Sequence, residues 1–370
     1  GKSKHPKSIS AVNKHGSDKT YSTAGFIDLD NAFFQKFGTN DRTCATCHVP
    51  TEGWVITPKG IQDRFKKTQG TDPVFRLVDG ANSPHADVST VEKRRQAYSM
   101  LLDKANIRVG IGIPADAEFT LAEVDDPYGF ASAAELSLFR RPMPTTNLKF
   151  ISAVMWDGRE TTRDSNSTNC IFETTTCFSP IAFDLSTQAN HATLGHAEAA
   201  AALTDAEKAE IVAFEMGLFT AQVTDKVAGS LDKHGGQGGP QTLSNQIYYF
   251  GINDTLVGDY LTRKPFDSSA MSIYDAWKKY SSSSKGSNKK ARAAIARGQV
   301  LFNSKPIQII GVKGINDDLG VGVLPGTCTT CHNTPNSGNH STPMPLDIGI
   351  SDASRRTPDM PLYTLQNKVT

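Results

Sequence analysis

No run of uncharged apolar residues in this chain of 370 residues is long enough to cross a bilayer, so no spanning helix is expected. Net charge is equally scarce. With 39 basic residues against 38 acidic ones, the chain has no global basic field to attract nucleic acid or anionic lipid, and any docking charge must be local. The opening residues Lys2, Lys4, His5 and Lys7 are polar and lack the apolar core of a secretory signal, so the chain reads as a mature protein. Gly235, Gly236, Gly238 and Gly239 have no G-K-[ST] after them and no strand pattern before them, which argues against a phosphate-binding loop and for a plain one. Strand signals are few, and the expected fold class is mostly α with long loops.

Cysteine is sparse, and its placement is informative. Four of the six cysteines fall in two copies of one pattern, Cys44-Ala45-Thr46-Cys47-His48 and Cys328-Thr329-Thr330-Cys331-His332. C-x-x-C-H is the attachment site of a c-type haem. Two thiols at this spacing can each add to one vinyl group of a single porphyrin, and the following imidazole then lies under the iron. A redox C-x-x-C or half of a zinc ribbon has no need of a His directly after the second Cys. Two covalently bound haem c groups are expected, held by Cys44, Cys47, Cys328 and Cys331, with His48 and His332 as iron ligands. Such attachment takes place outside the cytoplasm, which makes the expected compartment periplasmic. Cys170 and Cys177 remain, in a Thr/Asn/Ser-rich stretch that reads as a surface loop. A disulfide between them fits that compartment, with two reduced thiols as the alternative.

Two haems suggest two c-type cytochrome-like domains. Residues 1–20 read as a flexible arm, 21–280 as the first haem domain, 281–290 as a Ser/Lys-rich linker and 291–370 as the second haem domain, cut short at its end. Near-helical spacing of Phe26, Leu29, Phe33, Phe34 and Phe37 predicts a helix over 26–37, ahead of the first motif, and 291–302 predicts its counterpart ahead of the second. Further helices are expected over 90–102, 131–139 and 196–203, and after the capping-box pattern Thr204-Asp205-Ala206-Glu207. Residues 49–58, which carry Trp54 between Pro50 and Pro58, read as a loop whose aromatic packs near the haem.

Met155-Trp156-Asp157-Gly158-Arg159, with Arg140-Arg141 and Thr145-Thr146-Asn147 upstream and the two C-x-x-C-H sites in this order, resembles the bacterial di-haem cytochrome c peroxidase family. Relatives of that family include the di-haem enzyme that matures methylamine dehydrogenase. Ile211-Val212-Ala213-Phe214-Glu215 and Ala296-Arg297-Gly298-Gln299-Val300-Leu301-Phe302 are similar to two of the family's helices. The resemblance implies that peroxide reacts at the first haem, that the second takes electrons from a small donor protein, and that Trp156 lies between them. It also implies Gln188 and, ten residues later, Glu198 around the peroxide pocket, with His196 and His191 in the same stretch as substitutes. The chain departs from the family in two places. No His lies between Val49 and Phe65 to block the first iron, His85 being the next along. The usual Met ligand of the second haem would fall beyond Thr370, which leaves truncation, or Met344, Met360 or His340 in its place.

The function expected from these residues is a periplasmic di-haem oxidoreductase that reduces hydrogen peroxide with electrons from a small cytochrome c or cupredoxin. Catalytic roles fall to Glu198, Gln188, His196 and Trp156. The alternatives are a di-haem oxidase acting on a protein or organic substrate through high-valent iron, and a pure electron-transfer cytochrome. A homodimer is left open.

Overall fold

The polar opening of the chain, expected as a flexible arm, folds as a hairpin. In the computed structural model, which describes residues 5–163, 169–171, 176–336 and 346–368, Ser8–Asn13 pairs antiparallel with Gly16–Ser22. An Asx turn, in which Asn13 Oδ1 accepts from the His15 amide, closes it. Gly16–Ser22 pairs in turn with Leu218–Asp225, and that strand with Gly229–Ser230, to give a four-stranded antiparallel sheet. Polar residues are ordered here because the sheet satisfies them: the buried Thr20 hydroxyl meets that of Thr220 at 2.8 Å.

Helix accounts for 30% of the protein and strand for 18%, so the fold is an α/β mix and not the mostly helical cytochrome type expected. Three further expectations fail. Residues 131–139 were to be helical, yet Leu136–Arg140 is a strand paired with Ile107–Ile111, and its burial alternates, with Ser137 and Phe139 inward. Residues 26–37 hold only the single turn Ala32–Phe34, because Asp28 and Asn31 take the amides of Asp30 and Phe33 on their side chains in competition with a helix. The helix expected over 196–203 is absent. Ile181–Gly195 is helical instead, and the chain then turns a corner at Glu198, which adopts a left-handed φ of 55°.

Other elements form where the pattern places them. Asp205–Gly217 carries a full capping box, with Glu207 N donating to Thr204 Oγ1 at 3.3 Å and Thr204 N to Glu207 Oε2 at 2.7 Å. Ser287–Ser304 covers the helix expected before the second motif. Residues 90–102 form two helices, Val91–Ala97 and Ser99–Lys104, with Tyr98 between them outside the helical region.

The chain divides into two units that are discontinuous in sequence. The larger comprises Gly1–Phe33, Thr145–His191 and Leu203–Ile348, and the smaller comprises Phe34–Pro144, Ala192–Ala202 and Gly349–Thr370. The boundary expected at 281–290 falls inside the larger unit. In the smaller unit, Pro58–Thr68 and Ser99–Lys104 pack Ile61, Phe65, Leu101 and Leu102 with Phe75 and Tyr98 into one core, against which Cys47 and Val49 rest. Phe119–Asp125 pairs with Leu362–Asn367 in the same unit. In the larger unit, Ser287–Ser304 packs Ala296 on Trp277 and Leu231.

Candidate functional site

Both cysteine pairs sit on 3-10 turns, Cys44–Thr46 and Cys328–Thr330, and the two turns are built alike. The residue before the first Cys is Thr in each, and its amide donates to the Oγ1 of the Thr before the second Cys: Thr43 to Thr46, and Thr327 to Thr330, both at 2.9 Å. The His amide folds back on the first Cys carbonyl at 2.9 Å for His48 and 3.0 Å for His332. A side chain from elsewhere in the unit then clamps the carbonyl of that second Thr. Arg64 Nη1 donates to Thr46 O at 2.7 Å, and Thr255 Oγ1 to Thr330 O at 2.5 Å. Cys44, Cys47, Cys328 and Cys331 stand outside any disulfide.

His48 is half-buried, and its Nδ1 lies 3.1 Å from the Trp54 carbonyl oxygen. A carbonyl only accepts, so the Nδ1 that faces Trp54 O carries a proton, and the ring has a second backbone hydrogen bond, with Met143. Burial pushes this imidazole down to about 4, against the opposing pull of that hydrogen bond. Burial and the backbone hydrogen bonds together hold the ring in a defined place beside the cysteine pair. His332 is exposed, with the Phe302 ring 5.9 Å away, which puts the end of Ser287–Ser304 beside the second motif. Leu256, Leu261 and Leu301, in segments that adjoin this motif, are large apolar side chains left exposed. Among the described residues, the group of metal-ligating side chains close enough to share an ion is His5, Asp28 and Asp30, which includes no cysteine.

A buried polar chain adjoins the first motif. Arg42, two residues before Cys44, donates from Nη1 to Asp79 Oδ2 at 2.7 Å, and both side chains are 3% exposed. The same carboxylate oxygen lies 2.6 Å from His196 Nδ1. Arg42 also holds Pro73 O, Val74 O and His196 O, so every arm of its guanidinium is occupied. Burial pushes the Asp79 carboxyl up, but the hydrogen bonds and positive charge of His196 and Arg42 outweigh it and hold the group below the usual carboxylate range. Asp79 Oδ1 is buried with no hydrogen-bond partner. Asn40 completes the corner, donating from Nδ2 to His196 O and to Glu198 Oε2, each at 2.9 Å. Gly38 is required beneath it, since a Cβ there would lie 1.5 Å from Ala197 O.

The remaining candidates fall in both units. His196 and Glu198 belong to the smaller unit with the first motif, whereas Gln188, His191 and Trp156 belong to the larger. Gln188 is half-buried on Ile181–Gly195. Exposed His191 meets Glu160 Oε1 at 2.9 Å. Trp156 is 52% exposed, next to Met155, which has a left-handed φ of 73°. His85 is exposed and packs edge-on against Phe130 at 5.2 Å. Met360 belongs to the smaller unit and the second motif to the larger, while His340 and Met344 lie outside the described residues. Cys177 is disulfide-bonded and stands opposite Cys170 in the register of the Asn169–Ile171 and Thr176–Phe178 pair. Asp79 and Arg42 escaped the sequence reading. The one signal for them was an Arg placed just ahead of C-x-x-C-H, and nothing local marks Asp79 as its partner.

The chain matches no protein-family model, no curated protein and no solved structure.

Proposed function

We propose that each C-x-x-C-H turn holds a covalent haem c and that the protein is a periplasmic di-haem oxidoreductase, which reduces hydrogen peroxide with electrons from a small redox protein. The observation that carries this reading is the shared scaffold of the two C-x-x-C-H turns, each with a Thr amide held by the second Thr hydroxyl and a His amide folded back on the first Cys carbonyl. Cys44 and Cys47 would hold one haem and Cys328 and Cys331 the other, with His48 and His332 as ligands. Bound haem supplies redox-active iron, which accepts and passes single electrons and takes up an oxygen ligand where a position is open.

The chain's own contribution is positional. Trp54 orients one ligand, Arg64 and Thr255 fix the two turns, and Asn40 holds the His196 backbone and the Glu198 carboxylate together. Within this reading His196 and Glu198 are the acid–base candidates. Gln188 is a hydrogen-bonding partner for peroxide, and Trp156 is the electron path.

Intact mass of the purified holoprotein tests the first half: the polypeptide should carry the added mass of two haems after acid-acetone extraction. Peroxide-dependent oxidation of a reduced small cytochrome or cupredoxin tests the second. A chain with no covalent haem overturns the reading. Two haems without peroxide turnover would transfer it to an electron carrier or an oxidase of another substrate.

A further inference from the structure

Three features of the His196 corner are more than a solvated loop requires. Its imidazole is tied at Nδ1 to a carboxylate that is itself 3% exposed, and its backbone carbonyl is held twice, by Arg42 Nη1 at 3.0 Å and Asn40 Nδ2 at 2.9 Å. The ring is 39% exposed, so one side is anchored in the interior and the other is open. Finally, the anchor adjoins the first cysteine motif, because Arg42, which holds both Asp79 Oδ2 and His196 O, lies two residues before Cys44. A carboxylate at Nδ1 selects the tautomer with Nδ1–H and directs the basic Nε2 outward, the arrangement in which a histidine accepts a proton and returns it.

We infer that His196 is the proton carrier at the first motif, with Asp79 as its positioning residue and Arg42 as the buried counter-charge that keeps Asp79 ionised. This rests on the peroxide reading above. In the overall reaction, hydrogen peroxide, two protons and two electrons give two waters, the electrons coming from the reduced donor protein. His196 Nε2 takes a proton from one peroxide oxygen and delivers it to the other as the oxygen–oxygen bond breaks and that oxygen leaves as water, and the oxygen left behind becomes the second water on taking the two donor electrons and two protons. Asp79 touches neither oxygen. Its part is to fix the tautomer and to stabilise the imidazolium while it exists. The groups that bear on the ring by charge or hydrogen bond are Asp79, Arg42 and His48, and Glu198 shares Asn40 with it.

The test uses ferric holoprotein and two readouts. Cyanide reaches the site as hydrogen cyanide and binds as the anion, so its association rate reports the local base without turnover. His196→Gln keeps a donor toward Asp79 and leaves the Arg42–Asp79 pair intact. It should slow both peroxide turnover and cyanide association by about a hundredfold, the scale of a lost general base. Asp79→Asn should slow both in the same direction, with Asp79→Glu recovering part of the loss. If Asp79→Asn fails to fold, His196→Gln decides alone. Slowed cyanide association in a wild type that turns over no peroxide would keep the proton carrier and remove the peroxidase reading. Wild-type cyanide association in His196→Gln would overturn the inference, even where wild-type peroxide turnover sustains the reading.

Discussion

His48 and Trp54 are joined through a backbone atom: the Trp54 carbonyl oxygen sits 3.1 Å from His48 Nδ1, on a residue with a left-handed φ of 64°. A non-glycine residue holds that conformation when its surroundings over-determine it. Here the indole is fully buried and the bridge between Val49 and Val55 closes the loop around it. Trp54 therefore sets the orientation of the His48 ring through its carbonyl, and its own ring anchors that carbonyl.

Trp54→Ala should cost about 3–5 kcal/mol of stability, the range for emptying a buried aromatic site. Because the carbonyl moves with the collapsing loop, the variant should also lose the fixed orientation of His48. Denaturant melts measure the first effect, and the absorption spectrum of the first haem site the second. A wild-type melting midpoint would show that the ring anchors nothing.

The first iron should lack a tight sixth ligand from the chain that follows its motif. Residues 49–65 contain neither His nor Met, and His85 packs against Phe130 on the surface. Ferric holoprotein is expected to give a substantial high-spin EPR signal. A purely low-spin spectrum would mean that another side chain closes the site.

Stability should fall as the pH rises from mildly acidic to mildly alkaline. Glu215 is buried on Asp205–Gly217, and burial pushes its carboxyl up to about 8 from an ordinary 4.5, with Oε2 lacking a partner. The folded state favours the protonated form, so this group's stability is intact below about 4.5 and is lost progressively up to about 8, at about 1.4 kcal/mol per pH unit. Asp79 has the opposite sign. Its depressed carboxyl supports folding above the ordinary carboxylate range and withdraws that support only on further acidification. Glu215→Gln should flatten the decline between pH 5 and 8 in melts across that window. A decline unchanged in the variant would assign it to another group.

Two glycines should respond to alanine with opposite signs. A Cβ on Gly236 would lie 2.5 Å from Leu231 O and 2.6 Å from the Trp277 ring, so Gly236→Ala must displace packed atoms and should destabilise by about 1–3 kcal/mol. Gly298 lies within Ser287–Ser304 with nothing in the path of a Cβ, and Gly298→Ala should stabilise by about 0.5–1 kcal/mol. Thermal melts of the pair, run together, decide both signs.

The elements legible in the sequence were those written in local chemistry. The Thr204–Glu207 box and the helix before the second motif form as patterned, because caps and good helix formers act within a few residues. The failures are non-local. Leu136–Arg140 is a strand because Ile107–Ile111 lies beside it, and Gly16–Ser22 is one because Leu218–Asp225 does. Neither partner is visible from the strand's own residues. At the candidate site, C-x-x-C-H showed the cysteines and histidines, but Asp79 and His196 meet across 117 positions of sequence. The sequence marks Trp54 by its ring, whereas its contact with His48 uses an atom every residue has.

The strand partnership of Phe119–Asp125 with Leu362–Asn367 has a bearing on the order of manufacture. A chain is made from its N-terminal side, so the turn holding Cys44 and Cys47 emerges early, yet the unit around it stays unfinished until residues 362–367 arrive. The second motif, at 328–332, has emerged by then. The late strand thus acts as a clasp: until it arrives the first cysteine pair belongs to an incomplete fold, and its arrival completes that unit.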